Sequence, residues 1–434
     1  MIDAVTRMRT IATRHPLVEA GPGGELPALP KSAWIEVDLD AIAANARLFA
    51  ELIGPGASVQ PVVKADAYGH GAVAVSRALV ASGIESLVVA TFDEGLELRQ
   101  AGIEVPILIL FPIPPELAPA ALRHRLSITV GDVELTRRTL AALDQAVAGA
   151  ALGAPDTAGA DSRLSIHLEI ETGLGRGGAF PEEIVSLVRL VSQSPMARIA
   201  GMWGHLQEAG NAKITTSQAA HFDRAAGFLE DATVSVPLRH LSASGGILAG
   251  TVDAYDMVRI GISIYGIVPD GLEPSDANRA IAARLVPALS LRARPVRVAT
   301  LPTDWGVSYG PTFRTKRESR IATIPIGYAD GWPRSLSNKA QVLVRGRRVP
   351  QVGTIAMDAL MIDVTDVPGP AVTIDDEFTL VGRQGGDEIG AQEVARWGNT
   401  ISYEVLSAMS GRLPRVYYAD SKPVAMRSVA LETP

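Results

Sequence analysis

From Trp34 onward the hydrophobic positions alternate between two textures. Short apolar runs are followed by longer stretches in which apolar residues recur every three or four positions. Ile35-Glu36-Val37 alternates as a strand, and Asp38 or Asp40 is placed to cap a helix running through Ala44, Leu48 and Leu52. Residues 59–64, 86–91, 107–111, 126–130, 164–170, 199–206, 238–242 and 257–262 then read as buried strands. Amphipathic helices are predicted between them over 72–82, 93–101, 115–125, 133–147, 181–192 and 217–231. Strands that alternate with crossover helices predict the α/β class, as a (β/α)8 TIM-type barrel over 34–283. The alternative is an open doubly wound sheet, but no Gly-x-Gly-x-x-Gly turn follows the first strand. Residues 149–162, rich in Ala, Gly and Asp, read as an exposed insertion.

Past residue 283 the pattern changes. Residues 290–298, 320–326, 341–344, 360–364 and 377–381 are strand-like, with turns at Arg345-Gly346 and Asp375-Asp376. They predict a second, mainly β domain over 284–434, closed by a helix at 391–396 and the stretch 403–409. Residues 1–33 carry Arg7, Arg9 and Arg14, then Gly21, Gly23, Gly24 and Pro27, and read as a flexible extension with at most one short helix.

Composition narrows the function classes. The chain has 434 residues, 47% of them hydrophobic and 20% charged, as expected of a soluble globular protein. A net charge of −7, with no broad basic field, argues against nucleic acid as a partner. The most apolar run, 106–115, is too short to span a bilayer and is broken by prolines, so no membrane segment is expected. There is no cysteine, which excludes disulfides, thiolate metal sites and cysteine nucleophiles and fits a cytoplasmic setting. No metal is called for.

The candidate chemistry centres on 62–71, Val-Val-Lys-Ala-Asp-Ala-Tyr-Gly-His-Gly. Its apolar start delivers Lys64 to the end of a buried strand, where desolvation lowers an ammonium's pKa. Such a lysine can form a Schiff base with a carbonyl, or it can simply snorkel to solvent. On a barrel, active sites lie at the C-terminal ends of the strands. Arg176 after the fifth, His205 closing the sixth, Ser244 after the seventh and Arg259 in the eighth join Lys64 there. Taken singly, His205 could be a core histidine and Arg259 an ion-pair partner. Ser242-Ala243-Ser244-Gly245-Gly246 and Gly261 offer small residues and backbone amides suited to phosphate.

The stretch 64–71 resembles the PLP-lysine signature of alanine racemases, with Asp66 where the usual form has Asn. Residues 167–178, 201–206, 240–248 and 258–266 are similar, in order, to four further segments of that family. In the second domain Val307-Ser308-Tyr309-Gly310, 327–331, Met357-Asp358 and 400–404 are similar to four more. The resemblance spans Trp34 to Tyr418. It implies a barrel plus β domain, a pyridoxal 5'-phosphate (PLP) cofactor, and interconversion of L- and D-alanine that supplies D-alanine for cell-wall peptidoglycan. It further implies that Lys64 carries PLP through a Schiff base. Tyr68, Ser244 and Tyr403 hold the phosphate with the amides of Gly261 and Ile262. His205 packs on the ring, Arg259 donates to its nitrogen, and Arg176 orients the phenolic oxygen or the substrate carboxylate. Tyr309 and the Met357 amide serve the other subunit of a homodimer, and Tyr328 and Asp358 line the entrance.

These residue types suit the implied reaction. Racemisation removes a proton from one face of Cα and returns one to the other, so it needs two bases; Lys64 and Tyr309 can serve opposite faces. Two positions depart from the family. Glu169 stands where the family often has a lysine converted to an anionic carbamate, and is expected to orient Arg176 in its place; the alternative is a plain ion pair with another barrel cation. Ala243 stands where an asparagine is common beside the phosphate serine. A related decarboxylase of this architecture would need a cysteine, and a single-barrel PLP carrier would lack a second domain. Whether serine or other amino acids are also substrates stays open.

Overall fold

The computed structural model describes residues 16–21, 24–148, 162–231, 234, 236 and 238–429. The expected insertion, but for Ser162, and the possible short helix before residue 16 lie outside them. The described chain forms two compact units.

One unit, residues 42–67 and 75–286, is the barrel. Its strands are Ser58–Pro61, Leu87–Val89, Ile107–Ile109, Leu126–Val130, Leu164–Glu169, Ala197–Trp203, Arg239–His240 and Met257–Ile260. The second to seventh form a continuous parallel sheet, and the eighth pairs in parallel with the first. Parallel bridges Val62↔Val88 and Ala243↔Arg259 close the ring. Both faces of these strands are covered, and Val88, Ile107, Ile166, Leu168, Val258 and Ile260 are wholly buried, which is why these runs read as largely apolar stretches. Outside lie helices such as Ala72–Ala81, Phe92–Gln100, Val133–Ala148, Ile184–Gln193 and Ala212–Asp231. In Ile184–Gln193 the buried residues are Ile184, Leu187, Val188 and Val191, the helical spacing that marks a one-sided apolar stripe.

The other unit takes in residues up to 41, residues 68–74 and those from 287 onward. Its twelve-stranded sheet runs Leu17–Glu19, Lys422–Arg427, Arg415–Ala419, Ala33–Asp38, Leu289–Ala293, Phe378–Gln384, Gln341–Val344, Arg347–Val352, Leu360–Asp363, Ser319–Ile324, Arg297–Leu301, with Asp387–Ile389 on Phe378–Gln384. All its pairings are antiparallel except Ala33–Asp38 on Arg415–Ala419.

Three expectations are corrected. The strand around Ile35 belongs to this sheet and not to the barrel unit, because alternation shows which face is buried but not which sheet buries it. The extension is not free throughout: Leu17–Glu19 pairs with Lys422–Arg427. The predicted strand 290–298 is two, Leu289–Ala293 and Arg297–Leu301; Pro295 between them lacks the N–H that a continuous ladder needs. Among the described residues no helix is long and apolar enough to cross a membrane.

Candidate active site

Lys64 follows the first barrel strand and opens a turn of unusual hand. Ala65, Asp66 and Ala67 have φ of 51°, 56° and 53° with ψ of 50°, 45° and 51°, and Tyr68 follows at φ 51°. This is left-handed helix, which costs an L-residue about 1–2 kcal/mol. Side chains this small keep the crowding low, and Asp tolerates the region. Glu94 holds the turn, accepting the Ala65 N–H at 2.7 Å with one carboxylate oxygen and the Ala90 N–H at 2.7 Å with the other. Burial lowers the Lys64 ammonium below its ordinary value; Arg176 and Arg259 act in the same direction and Glu94 opposes them.

Arg259, from the eighth strand, is 2% exposed. Its Nη1 donates to His240 Nδ1 at 2.7 Å and to the His240 carbonyl at 2.9 Å. Its Nη2 donates to the Gly204 carbonyl at 2.6 Å and, more weakly, towards His205 Nδ1 and the Leu241 carbonyl at 3.3 Å each. A guanidinium only donates, so His240 Nδ1 accepts and His240 carries its proton on Nε2. That Nε2 faces His167 Nδ1 at 3.1 Å. Gly201 makes room for the pair, since a Cβ there would lie 2.7 Å from His167 Nδ1. Burial first, then Arg259, holds His205 down to about 3 and His240 well below the usual histidine value. Burial also brings Arg259 down, to about 9, which leaves it cationic at neutral pH. Its Nε–H has no acceptor among the described residues and is the one donor left for a ligand.

Past the fifth strand, Glu169 and Glu171 divide two tasks. Glu171 accepts the backbone N–H groups of Gly173 at 2.6 Å, Gly175 at 2.9 Å and Arg176 at 3.2 Å, folding the glycine-rich turn. Burial pushes its carboxyl up, but those hydrogen bonds together hold it below its ordinary value. Glu169, 5% exposed, accepts Arg176 Nη2 at 3.1 Å. Its carboxyl lies above the ordinary value because burial outweighs the hydrogen bond and charge of Arg176. The guanidinium also lies over the Phe111 and Trp203 rings, at 5.6 and 5.9 Å.

Ser244 is buried, and its Oγ accepts the Gly261 N–H at 3.1 Å. The Gly261 amide, expected to be available to phosphate, is therefore engaged, and the Ser244 hydroxyl keeps its own proton to donate. Ile262 opens the short turn Ile262–Tyr265. Lys64, Glu169, Arg176, His205, Ser244 and Arg259 all sit at or just beyond the C-terminal ends of the barrel strands, the end where this fold carries chemistry.

The other unit carries the remaining candidates. Tyr68 and Tyr403 are neighbours, with ring centroids 6.1 Å apart. Tyr309 stands at the tip of the hairpin Gly306–Val307 with Phe313–Arg314 and is 72% exposed. Ser308, at φ 63°, anchors that tip through its hydroxyl to the Thr354 carbonyl at 2.6 Å. Tyr328 and Met357 are exposed at 44% and 52%, and Asp358 pairs with Arg412 at 2.5 Å.

A family model for the alanine racemase N-terminal domain matches residues 37–269, and one for the alanine racemase C-terminal domain matches 288–417. The chain belongs to the alanine racemase family. The alanine racemase of Symbiobacterium thermophilum is 39% identical over 89% of this chain and 97% of its own. That of Halothermothrix orenii is 37% identical over 90% and 97%. Among solved structures, alanine racemase from Bacillus anthracis with bound L-Ala-P superposes with a TM-score of 0.82 at 33% identity, covering 92% of this chain and 98% of that one.

Sequence reasoning missed Glu94, His167 and His240 at this alanine-racemase site. Glu94 had a signal: Thr91-x-x-Glu94 is a capping box, with Glu94 also receiving the Thr91 N–H at 3.2 Å. The two histidines had none, since each is an isolated polar residue in an apolar strand and only the barrel brings them together.

Proposed function

We propose that this chain is a PLP-dependent alanine racemase that interconverts L- and D-alanine and supplies D-alanine for peptidoglycan. The observation that carries the cofactor assignment is the wall around Arg259. A buried cation has four N–H directions committed to protein acceptors and one left over, beside a neutral histidine and a lysine with a lowered pKa. That set fits a pyridine ring with a carbonyl substituent. Lys64 would hold the group covalently, Arg259 would donate to the ring nitrogen, and His205 would pack on the ring. Ser244, Tyr68 and Tyr403, with the amide of Ile262, would hold its phosphate. Bound there, PLP supplies the electron sink that makes Cα–H acidic.

The remaining steps belong to the protein. Lys64, its ammonium lowered by burial and then by Arg176, takes or returns the proton on one face of Cα. Arg259 stays cationic at neutral pH, so it would donate to the ring nitrogen without surrendering a proton to it, which would restrain the sink and side reactions such as transamination. Arg176, held by Glu169, binds the substrate carboxylate or the phenolic oxygen. The opposite face needs a second base. Tyr309, exposed at a hairpin tip, fits delivery into the site of a second copy, together with the Met357 amide, with Tyr328 and Asp358 at the entrance. The working form is therefore a homodimer with shared sites. The exposure of Trp305, at 54%, together with that of Tyr309 and Met357, supports a contact surface on this unit.

The test is circular dichroism of L-alanine, L-serine and L-lysine incubated with purified protein and PLP, with borohydride reduction to locate the pyridoxyl label. Loss of optical activity with L-alanine and a label on Lys64 are expected. A label on another lysine, or no change with L-alanine, overturns the reading.

A further inference from the structure

The described residues before Trp34 are tied to the β sheet at several points. Leu17–Glu19 lies on Lys422–Arg427, Leu26 and Leu29 pack on Trp34, Val416 and Met426, and the Arg294 N–H donates to the Ser32 carbonyl at 2.7 Å. This docking delivers Lys31 to a carboxylate with no exposure, its Nζ lying 2.5 Å from Asp330 Oδ1.

Asp330 sits beneath two exposed segments. Its Oδ2 accepts the Gly327 N–H at 3.0 Å and closes the turn Tyr328–Asp330. That turn is pressed onto the next segment: the N–H groups of Tyr328 and Ala329 donate to the Ala356 and Met357 carbonyls at 3.1 Å each. Any side chain at 327 would collide there, since a Cβ would lie 2.3 Å from both carbonyl oxygens. Arg412 is shared between two carboxylates. Its Nη2 is 2.5 Å from Asp358 Oδ1, while its Nε stands 3.6 Å from Asp330 Oδ1. The first is a hydrogen bond and the second is only a charge contact.

We infer that Lys31 is a positioning residue for the substrate entrance: by neutralising buried Asp330 it leaves Arg412 free to hold Asp358. This rests on the racemase reading, in which Tyr328 and Asp358 line the entrance. A buried carboxylate stripped of its cation is costly, and the nearest replacement is Arg412. Without Lys31, Arg412 is drawn in to Asp330, its Nη2 leaves Asp358, and the segment carrying Met357 and Asp358 loses its outer tether.

The experiment compares the full chain with Lys31→Met, Asp358→Asn, and the pairs Lys31→Met/Asp330→Asn and Lys31→Met/Asp358→Asn. Amide hydrogen exchange over 354–359 is read first, because it does not depend on activity. Lys31→Met should speed exchange there about tenfold, and adding Asp330→Asn should restore the original rate, since no buried charge then competes for Arg412. In the racemase assay Lys31→Met and Asp358→Asn should each raise KM for alanine about fivefold with kcat nearly unchanged, and the pair should be no worse than either alone. Lys31→Arg should behave as the original. If Lys31→Met does not fold, Lys31→Met/Asp330→Asn decides: unaltered exchange over 354–359 supports the inference, and faster exchange overturns it. Unchanged exchange in Lys31→Met, or additive effects with Asp358→Asn, also overturn it. Absence of racemase activity in the unaltered protein would refute the racemase reading alone, leaving the exchange result to stand or fall separately.

Discussion

Replacing Glu169 with Gln separates activity from stability in a way the structure allows to be worked out. Gln keeps an oxygen able to accept Arg176 Nη2, so the 3.1 Å hydrogen bond survives, but as a neutral one. Charge-assisted hydrogen bonds are worth about 1.5–3 kcal/mol and neutral ones about 0.5–1.5, so the loss of hold on Arg176 is about 1–2 kcal/mol. Removing one partner of a fully buried pair would cost about 3–5 kcal/mol, but the Arg176 side chain is 39% exposed and water shares the load. If that hold sets the guanidinium for substrate, kcat/KM for alanine falls about 5- to 30-fold.

Stability should move the other way. The folded Glu169 carboxyl lies above its ordinary value because burial outweighs Arg176. Below the ordinary value it is protonated both folded and unfolded. As pH rises through the folded value, the stability this carboxyl carries at acid pH is lost, because the folded state then takes on a buried charge. A neutral Gln at 169 escapes that cost, so the melting temperature at pH 7 should be unchanged or higher. The assay is racemisation of L-alanine followed by polarimetry, with and without added bicarbonate, beside a thermal melt at pH 7. Neither Glu nor Gln at 169 has an amine that carbon dioxide could convert to a carbamate, so bicarbonate should rescue nothing. A Glu169→Gln variant with undiminished kcat/KM, or one restored by bicarbonate, refutes the assignment.

Three further outcomes follow from the geometry. Tyr309→Phe should slow racemisation by about 10²–10⁴-fold while PLP absorbance persists. Mixing it with a Lys64→Ala variant should recover activity through hybrid sites, and no recovery would argue against sharing between copies. Ala65→Val should destabilise the protein by about 1–2 kcal/mol in a denaturant titration, because Ala65 is exposed yet held at φ 51°; an unchanged midpoint would contradict a left-handed turn there. Lys64, with its ammonium lowered by burial and by Arg176, should react with an amine reagent at pH 8 before the exposed lysines do in PLP-stripped protein. Peptide mapping that finds Lys64 among the slowest would refute the environment described.

The barrel was legible because most of its strands are short, largely apolar runs and helices between them, such as Ile184–Gln193, carry a one-sided stripe; such signals are local. Lys64, Arg176, His205, Ser244 and Arg259 could be placed at one rim because strand order in a parallel barrel follows chain order. Pairings between distant residues left no such trace. Nothing in Ile35-Glu36-Val37 says that its neighbours are Leu289–Ala293 and Arg415–Ala419, and nothing in Lys31 names Asp330. Glu169 and Glu171 look alike two positions apart, yet one folds the turn and the other takes Arg176. Periodicity along the chain determined which side chains are buried. Tertiary packing decided which buried donors meet which acceptors, leaving Arg259 one N–H to spare, because that choice depends on distances between segments that the chain order does not contain.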